Sequence, residues 1–287
     1  DNLKNAILIE TGKIDVSIFV ALLLNGRLAS GIINTVGSEE QKTSYLKKIL
    51  SFKQICAFGL TERNVGSEAH NIETEFEETK DGNFILNGNK RWIGNASTAD
   101  LLFVFAKEKP LQESKIRKPR IFGFIIEPKL IKSSNQGLQI EVIKNKLAFK
   151  TVHNCDITFR DLKVSKSQKL EKMNSFEDIS FHLVNSRMSI CWILIGVTID
   201  CYLRAVNYSL QRKQFGKPIA SFQLIQAKLV KIRANIEAMF SLVKTVWDFC
   251  QNKGWSQGKV GMAKSWCSHT ARDSAMLARE ILGGNGI

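Results

Sequence analysis

Residues 84–95 read "FILNGNKRWIGN". This apolar, β-favouring run follows the turn pair Asp81-Gly82 and contains Asn87-Gly88, and four similar runs come after it: "LLFVFA", "IFGFII", "LQIEVI" and "CDITFRDLKV". Short strands separated by Asn-Gly, Asp-Gly and lysine-rich loops predict an antiparallel β region. The flanks have a different period. Residues 1–53 read as helical, with Ser38 placed to cap a helix that starts with Glu39 and Glu40 and ends in lysines. From Phe176 the helical pattern returns. Ile225, Leu229, Ile232, Ile236, Met239, Val243 and Val246 form a seam stepping by threes and fours, as in a long bundle helix. The prediction is an α+β multidomain chain: N-terminal helices over 1–53, an antiparallel β-domain over 54–165, and a helical bundle over 166–287.

Bulk properties narrow the function classes. A chain of 287 residues, 44% hydrophobic, buries a sizeable core. It has no run of eighteen apolar residues, so no membrane span is expected. The first residues lack a methionine and a signal pattern and read as the middle of a helix, as in a fragment of a longer protein. The six cysteines show no CxxC spacing and the four histidines no HxxxH pair. Reduced, buried thiols of an intracellular protein are expected, and no metal site. The net charge is +14, and residues 166–287 carry 17 Lys/Arg against 8 Asp/Glu. These charges are interspersed along helices without aromatic interleaving. A solvated surface or a phosphate-bearing small ligand is expected, and no nucleic acid.

Three stretches offer chemistry. In "CAFGLTERNVGSEAH" (56–70), a short apolar strand runs into Thr61-Glu62 and Gly66-Ser67. Strand-edge amides and a hydroxyl suit the edge of a flat polar heterocycle, and glycine admits a ligand close to the backbone; a plain strand-to-turn junction is the alternative. In "NGNKRWIGNAS" (87–97), Trp92 ends a strand just before Gly94, placed either to shield a ligand ring or to fill the core. In "LQRKQFGKPIASFQ" (210–223), Arg212, Phe215 and Gln223 surround a helix break. Arg212 suits a phosphate or the negative end of a helix.

Taken in this order and spacing, with "GSEEQKTSYLKKI" before them and "LGGNGI" after, these motifs resemble the acyl-CoA dehydrogenase and acyl-CoA oxidase flavoproteins over nearly the whole chain. "KRWIGN" and "RKQFGKPIASFQLIQ" are most similar to the short-chain peroxisomal acyl-CoA oxidase and glutaryl-CoA dehydrogenase branch. The resemblance implies N-terminal helices, a middle β-domain and a C-terminal four-helix bundle, partial at both ends here. It implies FAD bound by Phe58, Leu60, Thr61, Gly66 and Ser67, with Trp92, Ile93 and Gly94 flanking the isoalloxazine ring. Ser67 would also meet the CoA phosphates, and Arg187 would lie near the acyl-CoA pocket. Arg212, Phe215 and Gln223 would reach the FAD of a neighbouring subunit, with Glu280, Gly283 and Gly284 at its adenine end. A homodimer or homotetramer follows from that sharing. The implied reaction is α,β-desaturation of an acyl-CoA thioester in fatty-acid β-oxidation, in a peroxisome or the mitochondrial matrix.

Departures from the family pattern sharpen these expectations. Gly94 replaces a threonine whose hydroxyl would bond the flavin, which tilts the expectation toward reaction with oxygen. Phe19 falls where glutaryl-CoA enzymes hold a carboxylate with arginine, which favours an apolar acyl chain. The catalytic glutamate of this branch is expected beyond Ile287, and Ser186 occupies the position used by other relatives, so residues 1–287 alone are expected to be inactive. Lys150 and Arg63 replace a usual arginine and proline. A catalytically silent FAD-binding or scaffold member is the alternative.

Overall fold

The computed structural model describes residues 2–109, 120–132 and 137–287. Helices α1 (Asn2–Ile14) and α2 (Val16–Leu23) lead through a π-helical turn (Leu24–Ala29) into α3 (Ser30–Val36) and α4 (Glu39–Leu50). Strands β1 (Cys56–Gly59), β2 (Glu75–Glu78), β3 (Phe84–Gly94), β4 (Leu101–Glu108) and β5 (Ile121–Ile126) follow. A short α5 (Pro128–Lys132) precedes β6 (Leu138–Val142) and β7 (Asn154–Val164). Three long elements complete the chain: α6 (Glu177–Gln211), α7 (Gln223–Lys253) and α8 (Gln257–Leu282). A two-residue-per-strand hairpin, β8 (Lys213–Gln214) and β9 (Lys217–Pro218), separates α6 from α7. The described residues form two compact units, Val20–Leu183 and Asp1–Phe19 with Val184–Ile287.

The first unit is built on a seven-stranded sheet in the order β1-β4-β2-β3-β7-β6, with β5 also paired to β4. The β2–β3, β3–β7, β4–β5 and β6–β7 ladders are antiparallel, while β1 and β2 pair in parallel with opposite ends of β4. Strand β4 is covered on both faces, which explains its unbroken apolar run. Leu102, Val104 and Ala106 join one core with Phe76, Phe84, Phe122 and Phe124, whereas Leu101, Phe103 and Phe105 join another with Ile32, Ile33 and Ile49 from the helices. Rings of Phe76 and Phe122 stack at 4.6 Å. Ser38 caps α4 as expected: its hydroxyl accepts from the Gln41 amide, and the Gln41 side chain accepts from the Ser38 amide. Gln41 also donates to the Ser167 and Lys169 carbonyls, tying α4 to the segment after β7.

In the second unit the predicted seam of α7 is present. Ile232, Ile236, Met239, Val243 and Val246 are buried, with Ile225 and Leu229 packed partly against the same core as Ala205, Ala278 and Ile281. Helices α1 and α6 cross closely at glycines. A Cβ on Gly196 would lie 2.0 Å from the Ile9 carbonyl oxygen, and one on Gly12 would lie 2.4 Å from that of Ile193, so only glycine admits this crossing. Among the described residues, the stretches Val16–Val36 and Glu177–Gln211 are long and apolar enough to cross a bilayer by length and composition, and 47% and 44% of their most apolar windows lie inside the protein. All six cysteines are free thiols, five of them buried.

Candidate functional site

The expected residues fall into two groups, one in each compact unit. In the sheet unit, the chain leaves β1 at Gly59 and runs through Leu60, Thr61 and Glu62 beside the end of β3. The Arg91 amide donates to the Thr61 carbonyl at 2.8 Å, and the Glu62 amide to the Val65 carbonyl at 3.0 Å. Below this backbone lies an ion pair with no exposed side-chain surface: Lys90 Nζ is 2.7 Å from Glu62 Oε1. The lysine also donates to the Leu60 carbonyl at 3.3 Å. The glutamate accepts the Thr74 amide at 2.9 Å and a short bond from the Glu73 amide. Burial pushes the Lys90 ammonium down to about 8, with the Glu62 carboxylate opposing. Burial also disfavours the charged Glu62, but Lys90 and the two amides outweigh it and hold the carboxyl below its ordinary range.

Trp92 stands at the end of this strand with φ +63°, where its pairing with β7 shifts register between Lys90 and Ile93. The irregularity turns the indole outward, and Trp92 is 50% exposed. It is therefore not a core residue. Asn154 Nδ2 donates to the Trp92 carbonyl at 2.9 Å, and Arg91, paired with Asp156 at 2.7 Å, places its guanidinium 4.9 Å above the indole. Ile93 and Leu60 bury their side chains in opposite cores of the sheet, so they offer backbone groups alone to a ligand. Phe58 is partly buried against Phe105, with ring centroids 5.0 Å apart. Gly66 and Ser67 are exposed, and a Cβ on Gly66 would meet nothing within 4 Å. A Cβ on Gly94 would make ordinary contact at 3.4 Å with Val152, so the missing threonine hydroxyl is not excluded by crowding at that atom.

In the helical unit, the β8–β9 hairpin turns at Phe215 and Gly216, with φ +51° and +75°. Both central residues are left-handed, the pattern of a type I′ turn. Phe215 is 91% exposed, and its ring lies roughly perpendicular to that of Phe222 at 6.0 Å. The Arg212 carbonyl accepts from the Ile219 amide, closing the hairpin, while its side chain and Gln223 lie on the surface. Glu280, Gly283 and Gly284 belong to the same end of the bundle. Glu280 pairs with Lys228 of α7 at 2.8 Å, and Asn285 donates to the hydroxyl of Tyr208, one turn before Arg212. Gly283, at φ +60°, ends α8. Arg187 lies on the surface of α6 itself. A cleft of about 970 Å³ elsewhere in the sheet unit is lined by Gln41, Tyr45, Lys163, Ser167 and Lys169, and none of the expected residues borders it.

The sequence reading missed the roles of Lys90, Glu62 and Asp156, because charged side chains ordinarily mark solvent. One signal was available. Lys90 is in phase with Phe84 and Leu86 along β3, which places it on a buried face.

Comparison with known proteins agrees with this arrangement. The middle-domain pattern of acyl-CoA dehydrogenases matches residues 57–162, and their C-terminal-domain pattern matches 176–287. A probable short/branched chain specific acyl-CoA dehydrogenase of Dictyostelium discoideum is 31% identical over 96% of this chain, which spans 65% of that protein. An acyl-CoA dehydrogenase of Bacillus subtilis is 31% identical over 96% of the chain, which spans 71% of its length. The crystal structure of glutaryl-CoA dehydrogenase from Mycobacterium smegmatis superposes with a TM-score of 0.88 at 27% identity, covering 99% of this chain and 69% of that one. The chain thus spans about two thirds of the proteins it matches, and it belongs to the acyl-CoA dehydrogenase family.

Proposed function

We propose that this chain binds FAD and that the full-length protein desaturates an acyl-CoA thioester between its α and β carbons. The observation that carries the reading is the joined Thr61–Trp92 ledge: two motifs thirty residues apart are bonded through Arg91 and Thr61, beside an outward indole. The residues present fit a flat, phosphate-bearing cofactor. Open space over Gly66 admits a pyrophosphate against backbone, and the exposed face of Trp92 shields a ring.

FAD, when bound, accepts a hydride equivalent from the acyl β-carbon. The chain's own residues orient and bind. Thr61 and its neighbours offer amides and a hydroxyl to the cofactor's polar edge, and Ser67 offers a hydroxyl to phosphates. Arg212, exposed beside the projecting Phe215, is suited to a phosphate on a second copy of the chain, which supports a homodimer or homotetramer with a shared site. Arg187 is assigned to the acyl-CoA pocket. Phe19, 1% exposed, puts an apolar side chain where a dicarboxylyl substrate would need a cation, which supports an apolar acyl group. The α-proton requires a carboxylate base, a role that Ser186 cannot fill. From the family role we infer a part in fatty-acid β-oxidation, in the mitochondrial matrix or a peroxisome, and we read Gly94 as supporting oxygen as the acceptor.

The test is the visible spectrum of the purified full-length protein with butyryl-CoA, in air and without it. Bleaching only under anaerobic conditions, with peroxide formed in air, identifies an oxidase, and persistent bleaching in air identifies a dehydrogenase. A yellow protein that butyryl-CoA and longer acyl-CoA esters leave unbleached is the silent FAD-binding member. A colourless protein that takes up no FAD overturns the reading.

A further inference from the structure

The Lys90–Glu62 pair lies directly under the ledge, yet neither side chain reaches its surface: both are 0% exposed. An ion pair taken wholly out of water is rarely kept for stability alone, since desolvation offsets most of its attraction. The partners here are therefore informative. Lys90 holds the Leu60 carbonyl, immediately before Thr61, and itself sits two residues before Trp92 on β3. Glu62, immediately after Thr61, accepts the amides of Glu73 and Thr74, and the Thr74 hydroxyl in turn donates to the Asn89 carbonyl at 3.0 Å. Three backbone segments, 60–62, 73–74 and 89–91, thus converge on two side chains. The neighbouring charges face elsewhere: Arg91 turns to Asp156 and Glu73 to Asn64.

We infer that Lys90 and Glu62 are positioning residues for the cofactor, fixing the Thr61 backbone and the Trp92 indole as one rigid surface. The pair touches no ligand. It acts by setting the spacing between two groups that would contact opposite parts of the same flat ring. This rests on the FAD reading above, and it makes a separate claim about rigidity.

The experiment uses the full-length protein and the double variant Lys90→Met/Glu62→Gln, which keeps both side-chain lengths and removes both charges, so no buried ion is left unpaired. Circular dichroism and urea unfolding establish that the variant folds. Apoprotein is then titrated with FAD, and exchange of the Arg91 amide is followed by hydrogen–deuterium exchange without FAD. The expected result is at least tenfold weaker FAD binding and at least tenfold faster exchange at Arg91, because its bond to Thr61 is no longer clamped. Unchanged affinity together with unchanged exchange overturns the inference. A wild type that takes no FAD sinks the cofactor reading, and the exchange rates then decide the clamp by themselves. If the double variant does not fold, Glu62→Asp replaces it, which keeps both charges and shortens the clamp by one methylene, with the same two readouts and the same deciding outcomes.

Discussion

Trp92 offers a sharp test, because its backbone and its side chain pull stability in opposite directions. A non-glycine residue at φ +63° carries strain of about 1–2 kcal/mol that glycine would not. Against this, a tryptophan buries about 200 Å² when enclosed, and this one is half exposed. The buried half, about 100 Å², is worth about 2.5 kcal/mol at ~25 cal/mol per Å². The Arg91 contact over the ring adds about 0.5 kcal/mol. Trp92→Ala loses the contacts and keeps the strain, so it should destabilise by about 3 kcal/mol. Trp92→Gly loses the same contacts but releases the strain, so it should destabilise by only about 1–2 kcal/mol. Urea unfolding of wild type and both variants measures this, provided the slopes agree. The reasoning requires the glycine variant to be more stable than the alanine variant. If alanine equals or exceeds glycine, Trp92 is not strained in the folded state; if both lose more than about 4 kcal/mol, it is not half solvated.

Other expectations concern single positions. Gly88→Ala should destabilise by about 3 kcal/mol or more, because a Cβ there would sit 2.6 Å from the Thr74 Cα at φ +140°; urea unfolding reads it, and a loss under about 1 kcal/mol contradicts the packing. Gly66→Ala should leave the unfolding free energy within about 0.5 kcal/mol of wild type, since that Cβ meets nothing, and should weaken FAD binding if phosphate approaches that backbone. Cys56, 1% exposed, has its thiol pushed up to about 12 by burial and then by Asp100. It should resist iodoacetamide in the native protein at about pH 8.5 and react after unfolding, as mass spectrometry of the labelled peptide would show; rapid native labelling would contradict its burial. Glu62 has a folded value below its ordinary 4.5, so its contribution is present above that pH and disappears as pH falls through the folded value. Acid-limb stability curves should therefore be shallower for Lys90→Met/Glu62→Gln than for wild type, and equal slopes would refute the shift.

Much of the fold is legible in residue order because its signals are local. Runs such as "LLFVFA" and "IFGFII" are long, aromatic and bounded by turn residues, and each is a strand. The α7 seam follows from spacing alone. Strand β2, "EFEE", is different: three of its four residues are acidic, and it is held by pairing with β3 and β4 across the chain. The parallel joins of β1 and β2 to β4 are likewise decided by distant partners. In the candidate site, Thr61, Trp92 and Arg212 stand out as residue types suited to a cofactor. The bond from Arg91 to Thr61 does not, since it links residues thirty positions apart. The left-handed Trp92 could not be anticipated either, because a bulky side chain disfavours that conformation and the β7 pairing imposes it. A lysine and a glutamate read as surface until both are seen enclosed against each other.

The central claim is that FAD lies against Trp92. It is tested most directly by titrating the full-length apoprotein with FAD and following tryptophan fluorescence, with Trp92→Phe as the comparison among the five tryptophans. The account predicts saturation at one FAD per chain, with a share of the quenching missing in Trp92→Phe. No saturable binding, or identical quenching in the two proteins, would contradict it.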